Sequence, residues 1–238
     1  MAKTQNARIK KRAKNRSKRT RGMVLLNRSA FKLVMTGVAP QQAYGHQVNG
    51  ASVAQTHAMR YNLKAATHFG GTGACITTAL SWLFGPAADP AVKNPTEQLD
   101  IWVLTWCNLD VQDRRETRHT WAAAVGTLLK CKSMSRPRGP IEATINCLML
   151  LGWKPAAPDF WVVADDEWVK LDGNVFTSVQ VTARAIHDAQ QLVWKSAAKH
   201  SLGEALRQAL HRSNQRSVQR DFSEATACTK RRKRWRRC

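Results

Sequence analysis

The sequence predicts a mainly α fold, a helical bundle-like domain with one short β-hairpin near residues 160–171 and basic ends. Apolar residues recur at helical spacing through most of the chain, between breaks that contain glycine or proline. One stretch instead places two apolar runs around an acidic turn, which is typical of a hairpin. Both ends are rich in Lys and Arg and contain no acidic residue, so we expect them to be disordered, or simply helical, when free.

Four segments follow from this reading: a basic arm over residues 1–22, a helical region over 23–132, a helical region with the hairpin over 133–212, and a disordered polybasic tail over 213–238. We expect the packed core to lie between about Met23 and Arg212. That length suffices to bury a sizeable core. Eight of the nine Trp fall in it, and the core should form around their rings.

The first predicted helix of the middle region covers residues 23–35, where an apolar run follows the basic arm without a breaker. Gly37 and Pro40 should end it. Ser52 can cap the next helix, and the glycine-rich stretch 70–73 should terminate it.

A further helix is expected over residues 75–84, and a loop with two prolines over 85–93. Asn94 then has the features of a helix start. Pro95 suits the first helical position, and Glu97 can reach back to the Asn94 backbone as in a capping box.

The second half contains longer periodic stretches. A helix is predicted over residues 111–132, and another begins at Pro140 and ends at Gly152, where glycine readily adopts a left-handed conformation. Apolar residues occupy six of the seven positions 176, 179, 183, 186, 190, 193 and 197, which predicts a helix with that face in the core. A shorter helix is expected over 202–212.

Charge is the strongest functional signal. The chain has 38 Lys and Arg against 16 Asp and Glu, a net charge of +22. Ten of the cations lie in residues 1–21 and seven in 230–237, so the middle is left with a net charge of only +5. Clustered cations release counterions from nucleic-acid phosphates and bind them without reading sequence.

The candidate nucleic-acid-binding residues are therefore Arg8, Lys10, Lys11, Arg12, Lys14, Arg16, Lys18, Arg19 and Arg21 at one end, and Arg231, Arg232, Lys233, Arg234, Arg236 and Arg237 at the other. Their expected role is electrostatic positioning on phosphates. Solvated tails or a nuclear-import signal have the same composition and stay open as alternatives. Trp235 can stack on a base among the C-terminal cations.

Several other classes find little support. Six Cys without pairing motifs indicate reduced, mostly buried thiols in an intracellular protein, with a nuclear location favoured by the basic clusters. No apolar stretch is long enough to span a membrane, and a mitochondrial transit peptide would be less rich in Lys than this N-terminus. We expect no small-molecule substrate.

Catalytic and cofactor motifs are incomplete. Asp165 and Asp166 in the acidic turn resemble a polymerase metal hairpin, but the preceding aromatic residue and an upstream carboxylate strand are missing. The glycines at 70–73 lack the Lys-Ser/Thr of a phosphate loop. The seven His have no metal-ligand spacing. We therefore expect no catalysis, metal or cofactor in the isolated chain, with a metal site at the two aspartates as the enzymatic alternative.

Two groups of residues together carry a family resemblance. The first is Thr36-Gly37-Val38-Ala39-Pro40-Gln41-Gln42-Ala43-Tyr44-Gly45 followed by Val48-Asn49-Gly50. The second is Gly139-Pro140-Ile141 with Ala143-Thr144, then Leu151-Gly152-Trp153-Lys154-Pro155 and Pro158. They resemble the stretches that follow the catalytic palm in reverse transcriptases of non-LTR (LINE-type) retrotransposons.

The resemblance covers residues 20–205 approximately. It implies that the chain is the post-palm part of an RNA-directed DNA polymerase, with residues 23–132 thumb-like and gripping template and primer. The palm and its metal-binding carboxylates are absent from the sequence, so polymerase activity is not carried over. A complete small RNA-binding scaffold protein of a ribonucleoprotein particle is the alternative. In both cases the expected partner is RNA or DNA, contacted through phosphates.

Overall fold

The computed structural model describes residues 2–67, 75–130, 137–163, 167–172 and 177–199. Over these ranges the protein is mainly α-helical with a small antiparallel sheet, as the sequence predicts. The helices are α1 Ala2–Leu26, α2 Ala39–Ala43, α3 His46–Asn49, α4 Val53–Thr67, α5 Ile76–Phe84, α6 Pro90–Asn108, α7 Val111–Lys130, α8 Pro140–Leu150 and α9 over residues 177–199. The strands are β1 Lys154–Ala157, β2 Phe160–Val162 and β3 Trp168–Lys170.

The basic arm is a helix that takes part in the packed structure. Ala13, Ser17 and Thr20 of α1 are almost fully buried, and the Ser17 hydroxyl donates a hydrogen bond to the carbonyl of Asn62 in α4 (2.9 Å). The packed region therefore begins before the expected Met23, which is a correction. A heptad-like spacing of small residues permits this close helix contact, although the arm looks purely polar in composition.

The chain between α1 and α4 differs from the expected continuous helix over residues 23–35. Helix α1 ends at Leu26, and the Asn27 side chain accepts a hydrogen bond from the Ser29 backbone N–H (2.8 Å) at the start of a 3₁₀ turn. A π-helical turn, Val34–Val38, then runs through Gly37 without a break. Pro40 lies in the first turn of α2, where its missing N–H has no cost.

Helix α6 begins five residues earlier than the sequence indicates. Asp89 accepts a hydrogen bond from the Ala91 backbone N–H (2.9 Å), and Pro90 occupies the first turn. Pro95, expected at the helix start, lies inside the helix instead. The cap therefore falls in the middle of the segment 85–93 that was predicted to be a loop, and the prediction of a start at Asn94 was wrong.

The predicted hairpin is confirmed, with one more strand than expected. Strands β2 and β3 pair antiparallel, with Phe160 opposite Lys170 and Val162 opposite Trp168. Strand β1 adds to the other side of β2.

The end of α8 at Gly152, which has a φ of +80°, is also confirmed. The acidic turn residues Asp165 and Asp166 lie outside the described residues.

Helix α9 confirms a predicted helix but turns a different face to the core. Ser178, Val181, Ala185 and Ala189 are buried, whereas Val179 of the predicted face is 64% exposed. The helix is thus rotated by roughly one residue, about 100°. Polar contacts explain the choice, because Ser178 and Thr182 both lie at hydrogen-bond distance (3.3 Å) from Asp100 in α6.

Two apolar clusters hold the described residues together. The larger is built from α6 to α9 and the sheet and contains five Trp that are at most 5% exposed: Trp102, Trp106, Trp121, Trp153 and Trp161. The predicted core around eight Trp rings is thus confirmed for five, whereas Trp82, Trp168 and Trp194 are exposed. The smaller contains Val34, Val38, Leu63, Ala66 and Leu80. The described residues as far as Trp194 belong to one compact unit.

Candidate nucleic-acid interface

The cationic surface of α1 is the best-defined candidate site. Beside its buried residues, the helix exposes every predicted cation whose side chain the structure describes: Arg8, Lys11, Arg12, Lys14, Arg16, Lys18, Arg19 and Arg21. Lys10 is also part of α1. Residues 1–26 contain no acidic side chain, so the charge of this helix is not balanced along its own length. We call this exposed face of α1 the cationic face.

The C-terminal candidates cannot be placed in the same way. Arg231, Arg232, Lys233, Arg234, Arg236 and Arg237 lie outside the described residues, and so does Trp235. The structure therefore leaves this half of the predicted site as a prediction.

Burial of one narrow stripe orients the cationic face. Helical side chains three and four positions apart share a side, so Ala13, Ser17 and Thr20 together form the side that packs on α4. The rest of the circumference faces solvent. One cation supports the packing directly, since Arg16 Nη1 donates to the carbonyl of Gly37 (3.2 Å).

Four carboxylates elsewhere in the described residues are paired with arginines of the body. Arg60 binds Asp89 (2.8 Å), Arg118 binds Asp159 (2.7 Å), and Arg184 binds both Glu167 and Asp188 (3.2 Å each). Among the described residues, none of these carboxylates forms an ion pair with the cationic face. These four carboxylates are therefore neutralised within the body, whereas α1 has no acidic residue of its own.

Two clustered arginines of α7, Arg114 and Arg118, pack on a Trp ring of the core, although clustered arginines are also typical of a phosphate-binding surface. The guanidinium groups of Arg114 and Arg118 lie 5.6 and 5.2 Å from the centroid of the buried Trp106 ring. Arg114 also donates to the Cys107 carbonyl (3.1 Å). Both cations are therefore cation–π partners that cover one side of the Trp core, Arg114 half-buried and Arg118 still half exposed.

His46 is a structural residue. It is buried, with Nδ1 against the carbonyl oxygen of Ala43 and Nε2 3.1 Å from Glu97 Oε2, close in distance but poorly aligned for a hydrogen bond. The contact with His46 is the main reason why the pKa of Glu97 lies below its ordinary value of 4.5; burial opposes it and Lys93 assists it. The pair joins α3 to α6.

Other candidate chemistry is limited in the described part of the chain. No group of three or more His, Cys, Asp or Glu side chains is arranged there to hold a metal ion. The glycines at 70–73 and the two turn aspartates lie outside it. In the same ranges, none of the helices has both the length and the apolar character required to cross a membrane.

The thiols correspond only in part to the prediction of buried cysteines. Cys147 is buried, and burial raises the pKa of its thiol to about 12. Cys107 is half-buried, but Cys75 is exposed just before α5. The other three cysteines lie outside the described residues.

The residues that carry the family resemblance, 36–50 and 139–158, lie outside the basic arm. They form turns and helix starts in the body. Gly50 has a φ of +66°, and a Cβ there would lie 2.8 Å from Pro137 Cγ and 3.0 Å from Ala143 Cβ. The first stretch thus contacts the start of the second, and glycine is required at their junction. Tyr44 in the first stretch is 78% exposed.

No protein-family model matches the chain, and no curated protein and no solved structure matches it significantly.

Proposed function

We propose that this protein binds nucleic acid through phosphate contacts made by the cationic face of α1, and that binding is its function in the absence of a catalytic site of its own. The observation that carries the proposal is the exposure of eight Lys and Arg side chains on one helix without an acidic residue in its sequence. A polyanion is the partner that such a surface favours, because counterion release makes each phosphate contact favourable.

Two further features support the proposal. The helix is fixed on the body by a buried stripe, so its cations are presented in a defined order rather than on a free tail. Four carboxylates of the body, Asp89, Asp159, Glu167 and Asp188, are paired with Arg60, Arg118 and Arg184, so these four do not compete for the cations of α1. The C-terminal cations, Arg231 to Arg237, are proposed to add phosphate contacts.

We also propose, on the resemblance of residues 36–50 and 139–158, that the chain corresponds to the post-palm region of a non-LTR retrotransposon RNA-directed DNA polymerase. A nuclear location is in keeping with this proposal and with the basic composition. Sequencing the DNA upstream of the coding region would test it. An upstream reading frame with a palm supports the proposal, and a complete gene without one favours the ribonucleoprotein scaffold instead.

The binding proposal is tested by removing charge from the helix without removing the helix. In the full-length chain, Lys11, Lys14, Lys18 and Arg19 are replaced together by Gln, which has a similar helix propensity. Fluorescence anisotropy of a labelled oligonucleotide is then followed against salt. The slope of log affinity against log salt should become shallower by up to about 3.6, since each duplex phosphate contributes about 0.9.

A matched variant controls for total charge. Arg115, Lys170, Lys195 and Lys199 are exposed and lie elsewhere in the chain, and their replacement by Gln lowers the net charge by the same amount. We expect this variant to keep most of the affinity and slope of the wild type. Equal losses in the two variants would show that only overall charge matters and would refute the assignment to α1.

A further inference from the structure

The cations of α1 are arranged in two rows. With about 100° between successive residues, four arginines lie roughly 220–300° around the helix from the buried Ala13: Arg8, Arg12, Arg16 and Arg19. Three lysines and an arginine lie roughly 80–160° around: Lys11, Lys14, Lys18 and Arg21. Each row is about 15–17 Å long. We call them the arginine row and the lysine row.

A strip with different chemistry separates the two rows. Asn15 and Gly22 lie roughly 200° and 180° from Ala13, opposite the side that packs on α4, and both are exposed. No atom lies within 4 Å of the position that a Cβ of Gly22 would take. Glycine weakens a helix relative to alanine. No described neighbour lies close enough to Gly22 to exclude a larger side chain at this position. The strip is uncharged, narrow and open to close approach.

This arrangement matches the geometry of one nucleic-acid surface. The major groove of B-form DNA admits an α-helix and displays base edges on its floor, while the phosphates of the two strands border it. Cations on both sides of a helix can meet both borders at once, and an uncharged strip between them can face the bases. The major groove of A-form RNA is too deep and narrow for the same approach.

We propose that α1 lies in the major groove of B-form DNA, with the arginine and lysine rows on opposite phosphate borders and the Asn15 amide contacting a base edge. An amide side chain makes a bidentate pair with the N6 and N7 of adenine, so the favoured base is adenine. The inference depends on the proposed function, because it concerns the same helix. It makes Asn15 the residue that determines specificity in an otherwise electrostatic interface.

The test uses the full chain and two measurements. Selection from a randomised duplex library shows whether bound DNA shares an adenine position. Anisotropy then compares the selected DNA duplex, a scrambled DNA duplex, an RNA duplex of the selected sequence and single strands, all at one salt concentration. We expect the selected DNA duplex to bind most tightly and the RNA duplex to bind more weakly than scrambled DNA.

Two single variants separate base contact from phosphate contact. Asn15→Ala should lower affinity for the selected duplex by about 5- to 150-fold and leave the scrambled duplex and the salt slope unchanged. Lys14→Ala, a neighbour on the same exposed helix surface, should lower affinity for both duplexes equally and make the slope shallower by about 0.9. Alanine favours helix at both positions, so neither change should impair folding.

The possible failures are distinguishable. Salt-dependent binding that shows no sequence preference, or no response to Asn15→Ala, would overturn the inference and leave the proposed function intact. Tighter binding to the RNA duplex or to single strands would do the same, because it is incompatible with insertion into a major groove. Absence of salt-dependent binding to every probe would refute the proposed function as well.

Discussion

Asp89 is a buried acidic residue that joins several helices. Its carboxylate is 1% exposed, accepts the Ala91 backbone N–H at the start of α6, and binds the Arg60 guanidinium of α4 through Nε (2.8 Å) and Nη2 (2.9 Å). Arg60 also donates to the Thr77 hydroxyl of α5 (2.7 Å). One ion pair therefore ties three helices together beneath the small apolar cluster.

Replacement of Asp89 by Ala should be strongly destabilising. It removes a helix cap and leaves the largely buried Arg60 without its anion, so we expect the free energy of unfolding to fall by about 3–5 kcal/mol. Urea unfolding monitored by circular dichroism measures this. Asp159→Ala is the matched control, because its partner Arg118 is half exposed, and it should cost about 1 kcal/mol or less. Similar losses in the two variants would contradict the argument.

At the residue scale, composition was enough to predict which cations of the arm are candidates, because clustered charge without acids is visible in the sequence. The pairing of Arg60 with Asp89 was not predictable, since 29 residues separate the partners. Asn15 and Gly22 were also missed. Their position opposite the buried stripe is defined only once Ala13, Ser17 and Thr20 are known to face α4.

At the scale of single elements, alanine substitutions at two glycines should change the free energy of unfolding in opposite directions. Gly22 lies within α1 with open space around it, so Gly22→Ala should raise the free energy of unfolding by up to about 1 kcal/mol. Gly50 has a positive φ and no room for a Cβ beside Pro137 and Ala143, so Gly50→Ala should lower it by more than 1 kcal/mol. Thermal denaturation of the two variants checks both signs, and destabilisation by Gly22→Ala would show that this part of α1 is not helical in solution.

Helix existence was easier to predict than helix boundaries and faces. The periodic apolar residues of α8 and α9 predict both helices, and glycine correctly marks the end of α8. The face of α9 could not be predicted, because small residues such as Ala185 and Ala189 pack closely and carry weak apolar signals. The start of α6 was misplaced because two adjacent segments both contain a cap followed by proline, and only tertiary contact with Arg60 favours the first.

At the scale of the whole molecule, the Trp-centred core joins segments that the sequence suggests are separate. Gln98 of α6 lies 3.3 Å from Thr144 of α8, and Trp102 of α6 donates to the Pro158 carbonyl next to the sheet (2.9 Å). Such contacts connect residues 46 and 56 positions apart. A proline-rich boundary near residue 133 was visible, but the choice of helix partners across it depends on three-dimensional packing.

Free protein should become more stable as salt is added. Eight pairs of cations lie three or four positions apart on α1: Arg8–Lys11, Arg8–Arg12, Lys10–Lys14, Lys11–Lys14, Arg12–Arg16, Lys14–Lys18, Arg16–Arg19 and Lys18–Arg21. Each like-charge pair costs about 0.2–0.5 kcal/mol, so screening should recover about 2 kcal/mol and raise the Tm by roughly 4–8 °C. Differential scanning fluorimetry from low to moderate salt measures this.

The variant with Gln at positions 11, 14, 18 and 19 retains only two of these pairs, so it should melt higher than the wild type at low salt and respond weakly to added salt. A wild-type Tm that does not change with salt would show that repulsion along α1 is negligible.

The buried stripe of α1 has a consequence for the lifetime of the protein in a cell. Because Ala13, Ser17 and Thr20 cover part of α4, separation of the charged helix would uncover the body to proteases. A bound polyanion opposes that opening by mass action, by about 2.7 kcal/mol when its free concentration is a hundred times the Kd. Under the proposed function, copies bound to nucleic acid would be degraded more slowly than unbound copies, so the abundance of the protein would follow the amount of its target.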